Sequence, residues 1–520
     1  MLSNIKISNF KPFGEGKSVR LAPITLIYGP NSSGKSSIIQ SLLLLRQTMD
    51  GKHSGSKNEL VTRGELADLG NFLSILHRHE AQRKLKLEFE FAPKTTGFRN
   101  RPDHVAGVSL TFASRPYALN EVRAVLDAVD FKAVDENGQN FSFQLERCDS
   151  SIPPLRVQEE EEEEEEEEEV SDFKFGANSD LNAVCKLAQR LENERGPNRL
   201  RPSVQPRPPY DSAYFEAIKE KVMALRFRPG ASHPIDREFL PSRSREIARQ
   251  RNGEAALPNF RAVMWSFDIR FRRTVGALTY LGPLRAHPAR MYSLQGIPDS
   301  SVGAQGEQAV QILYQNLGLT DRGRGTSLLN RLNERCRQFE IPYIFDLQPL
   351  GNEITGDYVV LSLLDTRTGV SVAPTDVGFG IGQLIPILIE GMVASERQSS
   401  DALVCVEQPE IHLHPRLQAA MADFFIDTAC LSARSDRTQR SSGGVQWILE
   451  THSEALILRL QRRIREKRLL PADVSVLYVE HLGERGSVIQ ELRLDEEGEF
   501  LDLWPDGFFV ESFSELMGGR

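Results

Sequence analysis

The sequence predicts an α/β fold: a mainly parallel central sheet, an antiparallel β lobe at the N-terminal side, and a helical insertion between the two halves. Three observations carry this. Short, continuously apolar runs such as ALVCV (402–406) and VQWIL (445–449) suit strands covered on both faces, as in a parallel sheet. LKLEFEF, GVSLTF and FSFQLER alternate apolar and polar residues with a period of two, the mark of strands with one wet face. Finally, the apolar run ITLIYG passes into a glycine-rich loop and then into the apolar stretch SIIQSLLLLRQTM, a strand–loop–helix order.

Taken in order, IKISNF and ITLIYG are expected strands, and the alternating segments extend an antiparallel sheet to about residue 148, so residues 1–148 form the first lobe. Residues 149–275 are set apart by composition, with a glutamate run followed by helical pieces between Pro- and Arg-rich linkers such as GPNRLRPSVQPRPPY. Residues 276–520 form a second lobe: GALTYLGPLR, a hairpin in DYVVLSLLDTRTGVSVAP, a glycine-rich turn opening a buried helix at VGFGIGQLIPILIEGMVA, the two apolar strands, and a tail ending in LWPDGFF.

Composition narrows the class. At 520 residues, 40 % apolar and 26 % charged, the chain has the make-up of an ordinary globular protein with a sizeable core. IGQLIPILIEGMVA (381–394) is too short for a membrane span, and MLSNIKISNF is unlike a signal peptide. The five cysteines are scattered without a CxxC pair, so neither a zinc site nor a disulfide framework is expected, and a reducing cytoplasm fits. The net charge of −9 rests on the eleven glutamates Glu159–Glu169, since 72 − 11 = 61 acids remain against 63 Lys and Arg. That run is read as a solvated, self-repelling segment in preference to a DNA-mimicking or cation-binding one.

Gly29, Pro30, Asn31, Ser32, Ser33, Gly34, Lys35 and Ser36 match G-x-x-x-x-G-K-[ST], the phosphate-binding loop of P-loop NTPases. Such a loop turns backbone N–H groups inward around phosphate, and the following helix adds its positive end, which begins here at Lys35–Ser37. ATP and Mg²⁺ are the expected ligands, with Lys35 on the β- and γ-phosphates and the Ser36 hydroxyl on the metal. Glu407 ends the run ALVCV and is the expected second magnesium residue. His452, in ETHSE (450–454) after the second apolar strand, can donate to the γ-phosphate or to the attacking water.

GPNSSGKSS, VGFGIGQLIP, VEQPEIHLHP and ETHSE together resemble the ABC-class ATPases of the OLD (overcoming lysogenisation defect), RecF and SMC group. LWPDGFF resembles the C-terminal region of a subgroup long described as of unknown function. The resemblance covers residues 1–90 and about 276–515. It implies an ABC-type ATPase head working as a homodimer, with ATP held between the P-loop of one head and the signature helix of the other. The signature is implied at Gly378–Gln383, where Gly382 and Gln383 keep the Leu-Ser-Gly-Gly-Gln pattern but Gly380 replaces its serine. HLHP (412–415) falls at the dimer-contacting loop of the class, where His412 and His414 are expected to pack or hydrogen-bond instead of binding metal. About 65 residues follow ETHSE, too few for the Toprim nuclease of OLD proteins, so a separate effector nuclease is the implied partner.

Gln408 stands where most of the class has its catalytic glutamate. An amide cannot accept a proton near neutral pH, so the expectation is a slow ATPase unless another carboxylate substitutes. Glu410 is the first candidate, from the same loop, with Glu450 and Glu454 beside His452 as others. Arg285, in YLGPLR, is expected either on phosphate or paired with an acid. Between Arg195 and Arg251 thirteen Lys and Arg face six acids, interspersed with Tyr210, Tyr214, Phe215 and Phe227. A nucleic-acid contact with base stacking there competes with a structural insertion. The leading expectation is an ATP-driven dimerising switch for a nuclease in anti-phage defence. A DNA-repair ATPase binding DNA directly and a non-hydrolysing ATP-dependent scaffold are the alternatives.

Overall fold

The structure, a computed structural model, describes residues 1–50, 59–93, 104–118, 121–148, 173–194, 212–225, 227–229, 241–244, 260–294, 301–317, 327–352, 356–397, 402–430 and 444–505. Three sheets organise it. The central one has the order Thr279–Leu281, Ala402–Glu407, Val445–Glu450, Ile24–Tyr28, Val474–His481, Ser487–Leu492. Its first five strands are parallel and the last is antiparallel to its neighbour. Every residue of Ile24–Tyr28, Ala402–Glu407 and Val445–Glu450 is buried, which is why their sequences carry no alternation. The strand that enters the phosphate-binding loop is separated from the strand ending in Glu407 by the one ending in Glu450. This is the P-loop ATPase fold of ABC type.

The second sheet is antiparallel, and the alternation expected of it is seen: Leu85–Phe91 buries every other residue. It has nine strands and does not stop near residue 148. Phe173–Phe175, Phe227–Pro229 and Pro241–Ser244 extend it by three more strands, the last of them at its edge. The stretch 149–275 does supply helices, Leu181–Glu194, Ser212–Met223 and Arg261–Thr274, but it is not a purely helical insertion. The physical reason is aromatic. Phe173, Phe175 and Phe227 are buried in one continuous core with Phe131 and Phe143 of the first lobe and Phe267 of the third helix. The Phe267 ring meets those of Phe131 and Phe143 edge-on, at 4.9 and 5.8 Å between centroids.

That core also corrects the base-stacking expectation. Tyr214 and Phe227 are buried, and Phe215 packs partly against the same cluster, so these rings fill the lobe's interior. Tyr210, Arg195, Arg251 and the run Glu159–Glu169 lie outside the described residues.

The third sheet joins Tyr343–Asn352, Gly356–Asp365, Tyr292–Ser293 and Ser371–Val372. The hairpin expected around Thr366–Gly369 is present, with Leu363 and Leu364 opposite Val372 and Ser371. The longer pairing, of Gly356–Asp365 with Tyr343–Asn352, had no clear signal in the sequence. The helix Phe379–Glu396 is long and apolar enough to cross a membrane by length and composition, yet most of it, from Gln383 to Met392, is buried in the second core.

The aromatic join between lobe and insertion makes a measurable claim. Phe267→Ala should destabilise the fold by about 3–5 kcal/mol, read as a lower urea midpoint, whereas Leu503→Ala, at a 92 % exposed position, should leave the midpoint unchanged.

Candidate nucleotide site

Ile24–Tyr28 delivers the chain into a loop whose backbone excludes ordinary side chains at two points. Gly29 has φ +143°, and a Cβ there would lie 2.1 Å from the Val479 carbonyl oxygen. Gly34 has φ +102°, and a Cβ there would lie 2.5 Å from Pro12 Cγ. Both glycines therefore answer to conformation and to close approach. Ser32, with φ 62°, also takes the left-handed conformation. The Ser487 hydroxyl donates to the Ser33 carbonyl at 2.5 Å, tying the loop to the antiparallel edge strand. Asn31 and Ser32 are exposed at the tip, Ser33 is buried, and Ser37 lies buried in the first turn of the helix Lys35–Asp50. Lys35 Nζ donates to the carbonyls of Gly29 and Pro30 at 3.0 and 2.8 Å, inside the loop it serves.

Beneath the loop, strand register places two acids side by side. Glu407 and Glu450 are direct partners on adjacent parallel strands. The Ser36 hydroxyl donates to Glu450 Oε1 at 3.1 Å, and the Tyr280 hydroxyl donates to Glu407 Oε1 at 3.0 Å. Burial, then the neighbouring Glu450 charge, pushes the Glu407 carboxyl up to about 7, against the opposing pull of Tyr280 and Arg285. Glu450 is raised as well, first by burial. The acid touching Ser36 is thus Glu450, which the sequence offered only as a substitute base. The residues fit a magnesium nucleotide. Ser36, Glu407 and Glu450 form a hard, all-oxygen donor set. Buried Glu450 Oε2 and Ser33 Oγ lack hydrogen-bond partners among the described residues, and the repulsion between the two acids is what a bound cation would relieve. Lys35 and the loop amides would hold the phosphates, and the metal would offset their charge.

His452 follows the Glu450 strand and is half-buried. Burial and then the Lys35 charge lower its pKa, so its imidazole is neutral at pH 7 and can donate one N–H. Both carboxylate oxygens of Glu410 are engaged. Its Oε1 accepts from the His452 amide at 2.7 Å and its Oε2 from the Thr451 hydroxyl at 2.8 Å. Glu410 therefore anchors the segment that carries His452. Gln408 takes φ 46°, and its amide donates to the Glu450 carbonyl at 2.7 Å.

The implied signature is packed against the same turn from the other side. A Cβ at Gly380 would lie 2.5 Å from the His412 carbonyl oxygen, which gives a physical reason for glycine where the class has serine. A Cβ at Gly382 would meet Pro288 Cγ at 2.7 Å. The Gln383 side chain is buried and accepts from Arg285 at 3.4 Å. Among the described residues Arg285 hydrogen-bonds neither the loop nor an acid side chain; its guanidinium donates to the carbonyls of Glu407 and Gln408 at 2.9 and 3.4 Å. His412 meets Phe379 edge-on, and His414 caps the helix Pro415–Thr428 by accepting from the Arg416 amide. Behind the loop, the Trp504 ring of the tail stands edge-on to Tyr28, 5.5 Å between centroids, and Tyr28 donates to the Ser453 carbonyl. Tyr280 and Trp504 were not foreseen in the site; YLGPLR and LWPDGFF were the only signals for them.

A carboxyl raised to about 7 must lose its proton to hold a cation. Magnesium-dependent ATP affinity should therefore fall as pH drops from 8 to 6, by about tenfold if Glu407 alone governs it. Titration calorimetry at the two pH values checks this, and Glu407→Gln should bind more weakly and with a flat pH response.

Comparison with known proteins places the chain. A family model described as "AAA ATPase domain" matches residues 1–198 and 306–457, and one described as "Protein of unknown function (DUF3696)" matches residues 469–518. Among solved structures, an SMC head bound to the C-winged helix domain of ScpA is 10 % identical with a TM-score of 0.36, covering 95 % of this chain and 98 % of that one. The SMC head domain from Thermotoga maritima is 10 % identical with a TM-score of 0.34, covering 95 % and 99 %. An SMC head domain bound to the C-terminal domain of ScpA, from Pyrococcus furiosus, is 8 % identical with a TM-score of 0.35, covering 99 % and 98 %. No curated protein matches. The first family model spans 198 + 152 = 350 of the 520 residues, and it includes the phosphate-binding loop, both strand-terminal acids and His452. The chain belongs to the AAA ATPase domain family.

Proposed function

We propose that this chain is a slow, ATP-dependent switch of the OLD/RecF/SMC-like group. Two heads would close on ATP and control a separate protein effector, a nuclease in a bacterial anti-phage module. One observation carries the slow cycle: the position after Glu407 is an amide, and the nearest carboxylate on its loop, Glu410, has both oxygens engaged by Thr451 and His452. Lys35, Ser36 and the loop amides bind the phosphates and magnesium, Glu407 and Glu450 supply the metal-side charge, and neutral His452 donates to the γ-phosphate or the attacking water. Without a free base on the Glu407 turn, the bound state outlasts the chemistry. The exposed rim formed by Phe379 and His412 at the start of the signature helix is the surface offered to the second head. The DNA-binding alternative loses the support of Tyr214 and Phe227, whose rings are buried.

Loss of general-base assistance costs about 10²–10⁴ in rate, and typical enzymes turn over at about 10 per second, so the expected kcat is about 10⁻³–10⁻¹ per second. A coupled phosphate-release assay measures it, and turnover at or above about 10 per second would refute the slow-switch proposal. Lys35→Ala should abolish both ATP binding and ATP-dependent dimerisation, read by light scattering. Co-purification with the product of a neighbouring nuclease gene tests the effector. Salt-sensitive DNA binding that is lost when Arg243, Arg245, Arg249 and Arg251 are neutralised would instead favour the repair alternative.

A further inference from the structure

Arg285 is charged, 4 % exposed, and among the described residues hydrogen-bonded to no carboxylate side chain. Burying a guanidinium is costly unless its donors are satisfied; here both terminal nitrogens are spent on one junction, while the buried Nε finds no partner among the described residues. One terminal nitrogen donates to the Glu407 carbonyl at 2.9 Å. The other is shared between the Gln408 carbonyl and Gln383 Oε1, both at 3.4 Å. Arg285 thus spans the peptide that carries the magnesium-side acid and the second turn of the helix Phe379–Glu396.

The surroundings make this a junction with defined edges. The loop carrying Arg285 is held by backbone hydrogen bonds from Gly282 to Ala304 and from Ala286 to Gln305. The segment that supplies those acceptors is tied to the same helix through Glu390, whose Oε2 accepts from the Val302 amide at 2.9 Å. On the other side Gln408, in its left-handed conformation, donates to the Glu450 carbonyl, so the turn bearing Glu407 is also fixed to the strand bearing Glu450. A shift of the Glu407–Gln408 peptide on loading the site would have to move the Arg285 fork or break it. The fork in turn holds Gln383.

We infer that Arg285 is a positioning residue that couples the Glu407–Gln408 turn to the signature helix within one head, so that occupation of the phosphate site is felt at Gln383. This rests on the ATP-binding reading above, but not on hydrolysis. A planar fork can reach two carbonyls and an amide oxygen at once, whereas an ammonium on a flexible stem cannot hold all three in one plane.

Hydrogen–deuterium exchange of the full chain, with and without magnesium ATP, tests the coupling. In the wild type, nucleotide should slow exchange both in the phosphate-binding segment 29–45 and at the start of the helix, 379–388. In Arg285→Ala the first protection should persist and the second should fall at least fivefold. Gln383→Ala, which cuts the same contact from the other end, should reproduce this, and Arg285→Lys should be intermediate. The double variant Arg285→Ala/Gln383→Ala should lose no more helix protection than Arg285→Ala alone, as expected for two ends of one contact. Helix protection retained in Arg285→Ala, or losses that multiply in the double variant, would overturn the coupling. A wild type protected at 29–45 with no response at 379–388 would overturn it too. A wild type with no protection at 29–45 would overturn the ATP-binding reading itself, a distinct result. If Arg285→Ala does not fold, Gln383→Ala and Arg285→Lys decide the question.

Discussion

Two carboxylates that sit in register at the ends of adjacent buried strands are the constraint on which the rest of the site depends. Glu407 and Glu450 cannot both ionise at that depth without help, and the help visible in the protein is partial: a tyrosine hydroxyl on one and a serine hydroxyl on the other. Everything nearby is arranged around this repulsion. Lys35 lies close enough for Glu450 and Glu410 to support its charge. Arg285 stands behind the peptide of the acid turn, and Glu410 is spent on holding Thr451 and the His452 amide in place. A divalent cation between them would relieve both acids at once, and the proposed magnesium nucleotide would bring one to that place.

The strand–loop–helix order, the two apolar strands and the acid at the end of the first were legible because each depends on local chemistry. Gly29 and Gly34 must be glycine where they stand, and the buried strands must be apolar along their whole length. What the sequence concealed was pairing between distant segments. Nothing in the order of residues says that Glu450 lies opposite Glu407, that Tyr280 comes from an edge strand two positions away from Glu450, or that Gln383 turns inward to Arg285. The partners of Glu410 were hidden for the same reason. It looked like a mobile acid on a turn because Thr451 and His452, its partners, are about forty positions further along.

The insertion shows the opposite failure. Charged residues and prolines are so frequent in it that its aromatics read as surface groups. In the folded chain Phe173, Phe175, Tyr214, Phe227 and Phe267 of this segment are buried in the core of the first lobe. Composition averages over the two faces and cannot separate them. Period-two burial in Phe173–Phe175 was too short a signal to identify a strand.

The Trp504–Tyr28 contact bears on how the chain divides. Residues matched by the second family model include the strands Val474–His481 and Ser487–Leu492, which continue the central sheet past the phosphate-binding strand, and Trp504, which lies against the residue just before Gly29. Two separately catalogued regions thus share one hydrophobic interior. The tail is not an appendage that could be trimmed as a unit; cutting before residue 469 would expose the edge of Ile24–Tyr28 and unroof the wall behind the loop. Whatever the C-terminal region contributes, its strands and Trp504 are part of the wall behind the phosphate-binding loop.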